Sequence, residues 1–282
     1  MPISPSSSVQ QAQDALGLRL REIRKDAGLT ARALAALCGW HESKCSRIEH
    51  GKMTPADADI RVWAEHCSAA DQTADLIATV RSIDGMYVEW RRATRTGLRR
   101  LQESGVPLYA RTRRFRLYEP GVVPGVFQTL DYARALMSSV ITFHQMPDDL
   151  DAAVVARVRR QRVVYEGDHQ LAVLMEESAL RARIGSTDVM VGQLAHLLTI
   201  GTMPRVSLGI IPTTAQRGMW PTEGFWIFDN ERVQVELVSA EVTVTQPREI
   251  LLYERTFAEL GKIAVYGAQA RQLVTSAVDS LG

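Results

Sequence analysis

One run near the N-terminus, LTARALAALCGWHESKCSRIEHGKMTP over residues 29–55, limits the local fold more tightly than any other stretch of this 282-residue chain. Ahead of it, Leu16, Leu20, Ile23 and Ala27 recur at helical spacing, and Gly28 stops that first helix. Thr30 sits where a second helix over about 31–37 is capped, with Leu34, Ala35 and Cys38 on one face and Gly39 as its stop. A third helix from about Glu42 to His50 turns Cys45 and Ile48 inward and leaves Glu42, Ser43, Lys44, Ser46 and Arg47 on other faces. Two short helices joined by a Gly turn make a helix-turn-helix. Ile60, Trp63, Ala64 and Cys67 then supply one more helical face to close a small bundle.

The segment His41-Glu42-Ser43-Lys44-Cys45 is one letter from the HExxH signature of zinc hydrolases, and Cys is itself a zinc ligand. A zinc site needs further ligands, and Cys38, His50, His66 and Cys67 are the nearby candidates. His66 and Cys67 are adjacent on another helix, so no metal is expected.

Residues 29–55 resemble the Cro/CI-type, or xenobiotic-response-element, helix-turn-helix, whose general run is LTQEELAEKLGVSxSTISRIERGKxxP. Leu29, Thr30, Leu34, Ala35, Gly39, Ser43, Ser46, Arg47, Ile48, Glu49, Gly51, Lys52 and Pro55 match without a gap. The resemblance places Cys45 at an apolar position under the recognition helix, where a thiol packs as a small hydrophobe. It also implies that Glu42, Ser43, Ser46 and Arg47 face base edges and that Lys44 and Lys52 lie near the phosphates. Arg47 has the geometry to bind guanine O6 and N7, and Glu42 to accept from cytosine N4. Two positions depart from the pattern. Ala31 replaces a phosphate-bracing Gln, with Arg32 as the substitute one position on, and His41 replaces the usual Ser or Thr cap. The bland alternatives are an Arg47 paired with Glu49 or Glu22, and a Lys52 that is a solvated turn residue.

Charge is uneven along the chain although its net value is +1. Residues 1–70 carry 9 basic and 8 acidic groups, residues 71–116 carry 10 and 5, and residues 117–282 carry 14 and 19. The stretch 91–116 holds nine Arg against Glu103 alone, which makes it either a phosphate-attracting surface or a solvated helix face. Nowhere do about 18 apolar residues run together, and the N-terminus lacks the pattern of a secretory leader. Three cysteines, at 38, 45 and 67, suit free thiols in a reducing compartment, so a cytoplasmic protein is expected.

Beyond residue 70, Leu76, Ile77, Val80, Ile83, Tyr87, Trp90 and Leu98 form a helical stripe over 73–103, with Gly85 and Gly97 as interruptions. The remainder mixes strands and helices, and one sheet flanked by helices is the natural arrangement. The expected fold class is α+β: an N-terminal all-α helix-turn-helix bundle and a mixed α/β C-terminal domain. The expected organisation is a disordered tail over 1–13, a DNA-binding bundle over 14–70, a linking helical segment over 71–104, and a regulatory or partner-binding domain over 105–282.

In that C-terminal region EPGVVPGVFQTLDYARAL, RVRRQRVVY and EESALRARIGSTDVMVGQLAHLL resemble the C-terminal domain of WhiJ-like regulators of actinobacteria; the VSLGIIP strand followed by GFWIFD continues the likeness. The resemblance implies a transcriptional regulator, acting as a homodimer on operator DNA, whose C-terminal domain takes an effector or a partner protein. Its alternative is an antitoxin-like module that binds a short companion protein encoded nearby. Arg157, Arg160 and Gln161 share a predicted helix and offer an anion or acidic-peptide site, or else surface arginines paired with Glu166, Glu176 or Glu177. Residues 124–129 read as a binding loop or a structural turn. Trp220, Phe225 and Trp226, near Met219, read as an apolar pocket, a partner surface or part of the core. No nucleophile elbow, phosphate loop or dinucleotide fingerprint is present, so neither catalysis nor a cofactor is expected.

Overall fold

The computed structural model describes residues 7–221 and 223–282. They fall into two compact units, Met1–Val88 and Glu89–Gly282. The first unit is built from α1 (Ser7–Asp26), α2 (Ala31–Leu37), α3 (Glu42–Glu49), α4 (Asp57–His66) and α5 (Thr73–Met86). The expected caps form: the Ala33 N–H donates to Thr30 Oγ1 at 3.1 Å, and Gly39 takes the positive φ of +67° that the turn between α2 and α3 requires. Leu20, Leu34, Cys45, Ile48, Ile60, Trp63 and Leu76 are fully buried in one core.

Two features fix α3 against α1. Gly17 lies so close to the end of α3 that a Cβ there would sit 2.7 Å from the carbonyl oxygens of Ile48 and Glu49. Beside it, the Arg24 guanidinium meets the Glu49 carboxylate in a buried two-pronged ion pair, Nε to Oε1 at 2.5 Å and Nη2 to Oε2 at 2.9 Å. Arg24 Nη1 also donates to the Leu29 carbonyl at 2.6 Å, tying in the turn before α2.

The structure revises the N-terminal and linking segments. Helix α1 starts at Ser7 and buries Val9, so the tail expected over 1–13 is helical from Ser7; residues 1–6 lie outside the described residues. The stripe over 73–103 is not one helix. Leu76, Ile77, Val80 and Ile83 pack into the first unit, Gly85 lies within α5 without breaking it, and Gly97 breaks the chain at φ +99°. Leu98 packs with Met137, Ile141 and Val154 of the second unit. The side chain of Tyr87 lies outside the described residues. A continuous apolar spacing thus serves two separate cores, and the boundary between the two units falls after residue 88, within the segment expected to link them.

After a three-residue strand at the junction, β1 (Tyr87–Glu89), the second unit begins with short helices α6 (Trp90–Ala93), α7 (Arg99–Ser104) and α8 (Val106–Arg111). Strand β2 (Arg114–Glu119) leads through α9 (Leu130–His144) and α10 (Leu150–Tyr165) to β3 (Gln170–Glu176). From there α11 (Glu177–Arg181) and α12 (Thr187–Ile200) lead to β4 (Val206–Ile211). These three strands are parallel, as helical crossovers require. A meander follows: β5 (Phe225–Phe228), β6 (Arg232–Glu236) and β7 (Ala240–Val244), with Asp229 at φ +50° in its first turn. It adds antiparallel to β2, so these six strands run in the order β7-β6-β5-β2-β3-β4.

Phe115, Leu117, Val173, Met175, Leu208 and Ile210 alternate along the parallel strands and pack with α12 and with α14 (Gly267–Asp279). Helix α13 (Pro247–Ile263) lies on the sheet, its Tyr253 packed edge-on against Phe225. The α+β class and the helix-flanked sheet therefore stand, while α14 went unread in the sequence. No described helix is long and apolar enough to cross a membrane.

Removing one member of a buried ion pair strands the other. Glu49→Ala is expected to lower stability by about 3–5 kcal/mol. Urea unfolding followed by Trp fluorescence checks this, with Arg24→Met/Glu49→Leu recovering most of the loss.

Candidate functional site

The first candidate surface is the outer face of α3. His41 caps the helix, accepting from the Ser43 N–H at 3.3 Å through Nδ1, so α3 begins as expected despite the unusual capping residue. Glu42, Ser43, Ser46 and Arg47 are all exposed, and their one- and four-residue spacings place them on one face. Arg47 Nε donates to the Ser43 carbonyl at 3.3 Å, which lays the side chain along that face; it pairs with neither Glu22 nor Glu49. Glu49 is the Arg24 partner, a role the sequence reading missed because the two lie 25 residues apart. Arg32 and Lys52 are exposed. Lys44 is not free: its Nζ is 2.6 Å from Asp59 Oδ1 and lies 4.3 Å above the Trp40 ring, so it ties α3 to α4. Cys45 is buried, and burial with the nearby Glu49 charge pushes its thiol up to about 12, the behaviour of an inert core side chain.

The second candidate is a cavity of about 430 Å³ within the second unit. Its floor is the meander: Trp226, Gln234 and Glu236 project from β5 and β6, and Glu241 from β7. Helix α10 presents Arg157 and Arg160, α8 contributes Tyr109, and α9 adds Met137 and Val140. Arg157 is held by neutral amides, Nε donating to Gln102 Oε1 at 2.8 Å and Nη1 to Gln128 Oε1 at 3.0 Å. Arg160 stacks its guanidinium 4.7 Å from the Tyr109 ring centre, and its buried Nε has no hydrogen-bond partner. Two glycines leave room for these groups: a Cβ on Gly125 would meet Arg157 Nη1 at 2.5 Å, and one on Gly105 would meet Arg160 Nη1 at 2.9 Å. Glu119 accepts from the Trp226 indole N–H at 2.5 Å. Neither arginine forms an ion pair with these carboxylates.

A set of buried and half-buried amides supports the cavity wall. Gln161 Nε2 donates to the carbonyls of Gly125 and Gln128 at 3.0 and 2.8 Å. Fully buried Gln193 donates to the Phe127 carbonyl and accepts from the Thr129 N–H, both at 2.7 Å. Gln128 Nε2 donates to the Val123 carbonyl at 2.7 Å. The loop over 124–129 is thus both a structural turn and a wall of the cavity.

A family model described as a domain of unknown function, DUF5753, matches residues 106–276, more than half of the chain. The chain belongs to the DUF5753 family. A helix-turn-helix domain model matches residues 15–77 ahead of the DUF5753 domain, and the two together fit a regulator of the xenobiotic-response-element type. No curated protein matches the chain. A solved structure titled as that of TrmBL2, an archaeal chromatin protein with a novel mode of DNA binding, is 12% identical, with 94% of this chain and 100% of that chain covered. Its TM-score of 0.32 is too low to bear on fold or function.

In the DUF5753 domain the structure gathers part of the expected second site. Arg157, Arg160 and Trp226 line the cavity; Gln161 braces the loop behind it. Phe225 does not take part, being buried against Tyr118 and Tyr253 on the opposite side of β5. Trp220 is 72% exposed beneath Arg217 and is no part of the cavity lining. Two of the suggested partners of Arg157 and Arg160 are engaged elsewhere, Glu176 with Arg217 and Glu177 with Arg181, and the third, exposed Glu166, forms no ion pair among the described residues. Glu119, Glu236, Glu241 and Tyr109 were not foreseen as site residues.

The Arg-rich stretch 91–116 breaks over α6, α7, α8 and β2 and forms no single helix face. Within it Arg99 pairs with Glu103, and Arg116 with Glu254.

The cavity's electrostatics follow from the burial of its charged groups. Burial, then the like charge of Glu236, pushes Glu119 up to about 8 and Glu241 up to about 7. Burial, then the neighbouring Arg160, pulls Arg157 down to about 10, still cationic at neutral pH. The ordinary Glu value is 4.5, so between there and about 8 the folded chain keeps a proton on Glu119 that the unfolded chain has released. Stability therefore falls as pH rises through this window. Glu119→Gln is expected to gain on the wild type by up to about 1.4 kcal/mol per pH unit across it. Thermal melts of both proteins at about pH 5 and about pH 8 measure this, with Glu241 common to both.

Proposed function

We propose that this protein is a DNA-binding transcriptional regulator of the WhiJ-like type, a homodimer on operator DNA, whose second unit takes an effector in its charged cavity. The observation that carries the DNA-binding reading is the exposed α3 face of Glu42, Ser43, Ser46 and Arg47 on a helix locked to α1 by the Arg24–Glu49 pair. A rigid helix with polar side chains on one face suits the major groove, where Arg47 reads guanine and Glu42 reads cytosine. Exposed Arg32 and Lys52 supply phosphate contacts. Homodimerisation follows from the small footprint of a single short helix, since two half-sites about one helical turn apart supply the missing affinity. No catalytic step and no cofactor enter this reading.

A second reading, the antitoxin-like module, draws on one observation. Leu130, Val155 and Tyr165 are more than half exposed and, with Val158, line a shallow apolar groove of about 380 Å³ on α9 and α10. In this reading a short companion protein covers the groove. Val155→Asp then abolishes co-purification of that protein while operator binding persists.

Operator affinity, measured by fluorescence anisotropy on a duplex selected from a random library, tests the first reading. Arg47→Ala should relax base preference by about 1–3 kcal/mol. Lys52→Ala and Arg32→Ala should each shallow the log–log salt dependence by about 0.9, while Lys44→Ala, its charge already answered by Asp59, should leave it unchanged. If Arg47→Ala binds every duplex as the wild type does, the recognition-helix assignment is wrong.

A further inference from the structure

We propose that the cavity binds a small organic carboxylate, its anionic group seated on Arg157 and Arg160 and its apolar body lying against Trp226, Tyr109 and Met137. This rests on the effector reading above and names the chemical class of the effector. Three independent observations converge on it.

The first is unanswered positive charge. Arg157 spends two of its N–H groups on the neutral amide oxygens of Gln102 and Gln128, which orient the guanidinium without cancelling its charge. Arg160 contributes a second guanidinium with a buried, unpartnered Nε and only the Tyr109 ring beneath it. A half-buried guanidinium that forms no ion pair has its donors free for a ligand, and a guanidinium fork matches the geometry of a carboxylate. The second is the space: Gly105 and Gly125 each leave room that a single methyl group would take from a guanidinium. The third is shape, because about 430 Å³ lies in the range of small-molecule sites and the lining combines aromatic and aliphatic side chains with a few polar groups.

The opposite wall decides the sign of the ligand. Among the described residues Glu119, Glu236 and Glu241 also form no ion pair. Glu119 accepts from the Trp226 indole N–H and Glu241 from Gln234 Nε2 at 2.9 Å, whereas Arg160 has no hydrogen-bond partner among the described residues and keeps its donors for an acceptor brought by the ligand.

The test is a thermal-shift screen of the full-length chain against aromatic and aliphatic monocarboxylates, indole-3-acetate and 4-phenylbutyrate among them, each beside its matched primary amide and amine at 10 mM. Titration calorimetry then gives affinities for the compounds that respond. The expected result is a higher Tm with carboxylates, little with their amides or amines, and an affinity at least tenfold weaker in Arg160→Gln. Arg160 makes no hydrogen bond among the described residues, so this variant removes its charge and its stacking on Tyr109 but no hydrogen-bonded brace; Arg157→Gln, which loses the Gln102 and Gln128 contacts, is the second variant. The proposal is overturned if no carboxylate raises Tm, if amides or amines do as well as the acids, or if Arg160→Gln binds the acids as the wild type does. Operator affinity measured in the same samples separates the two readings. Carboxylate binding without a change in DNA affinity keeps the ligand class and removes the effector role, and DNA binding without any carboxylate response does the reverse for the ligand.

Discussion

A guanidinium group taken out of water must be answered by something, and the two units answer it in opposite ways. In the first, Arg24 meets Glu49 through two near-parallel N–H···O bonds, and the pair sets α3 at a fixed angle to α1. That contact is complete and needs nothing from outside. In the second, Arg157 meets only the amide oxygens of Gln102 and Gln128, which satisfy its hydrogen-bond geometry and leave its charge standing. The first arrangement produces a rigid display surface, and the second produces a vacancy of charge with a fixed position.

The position is fixed by glutamines. Gln128, Gln161 and Gln193 bond the backbone of the loop between β2 and α9 at Val123, Gly125, Phe127, Gln128 and Thr129. Each lies in one of the stretches that carry the family resemblance: PGVFQT over 124–129, RVRRQ over 157–161 and QLAHLL over 193–198. They come from a loop and two helices, and they converge because each amide supplies both a donor and an acceptor. Amides tied to backbone at this many points hold the loop rigidly, which is what a wall facing two guanidinium groups without an ion pair requires.

Much of this was legible in the residues themselves. The helix-turn-helix has short-range signals: Thr30 and Gly39 mark ends, and Leu34, Cys45, Ile48 and Trp63 mark a core. The division of the chain was harder, because Ile83 and Leu98 continue one apolar spacing while packing into different cores. Lys44 looked like a phosphate contact until its distance to Asp59, fifteen residues on, was known. The cavity was least legible of all. Along Arg232–Glu236 and Ala240–Val244, polar residues alternate with buried valines, the pattern of a strand with one face in water. Here part of that polar face, Gln234, Glu236 and Glu241, lines the cavity opposite Arg157 and Arg160. Alternation reports which residues share a face; it carries no information about what lies above that face.

The glycines at 105 and 125 have a consequence for how such a domain diversifies. They belong to the scaffold that lodges the two guanidinium groups, whereas the surfaces that would touch the body of a ligand, from α9 and the meander, lie on other elements. Substitutions at Met137, Val140 or Gln234 reshape the chamber without disturbing either arginine. A change on one wall can in this way alter which molecules the chamber admits, while the half that holds the charge keeps its geometry.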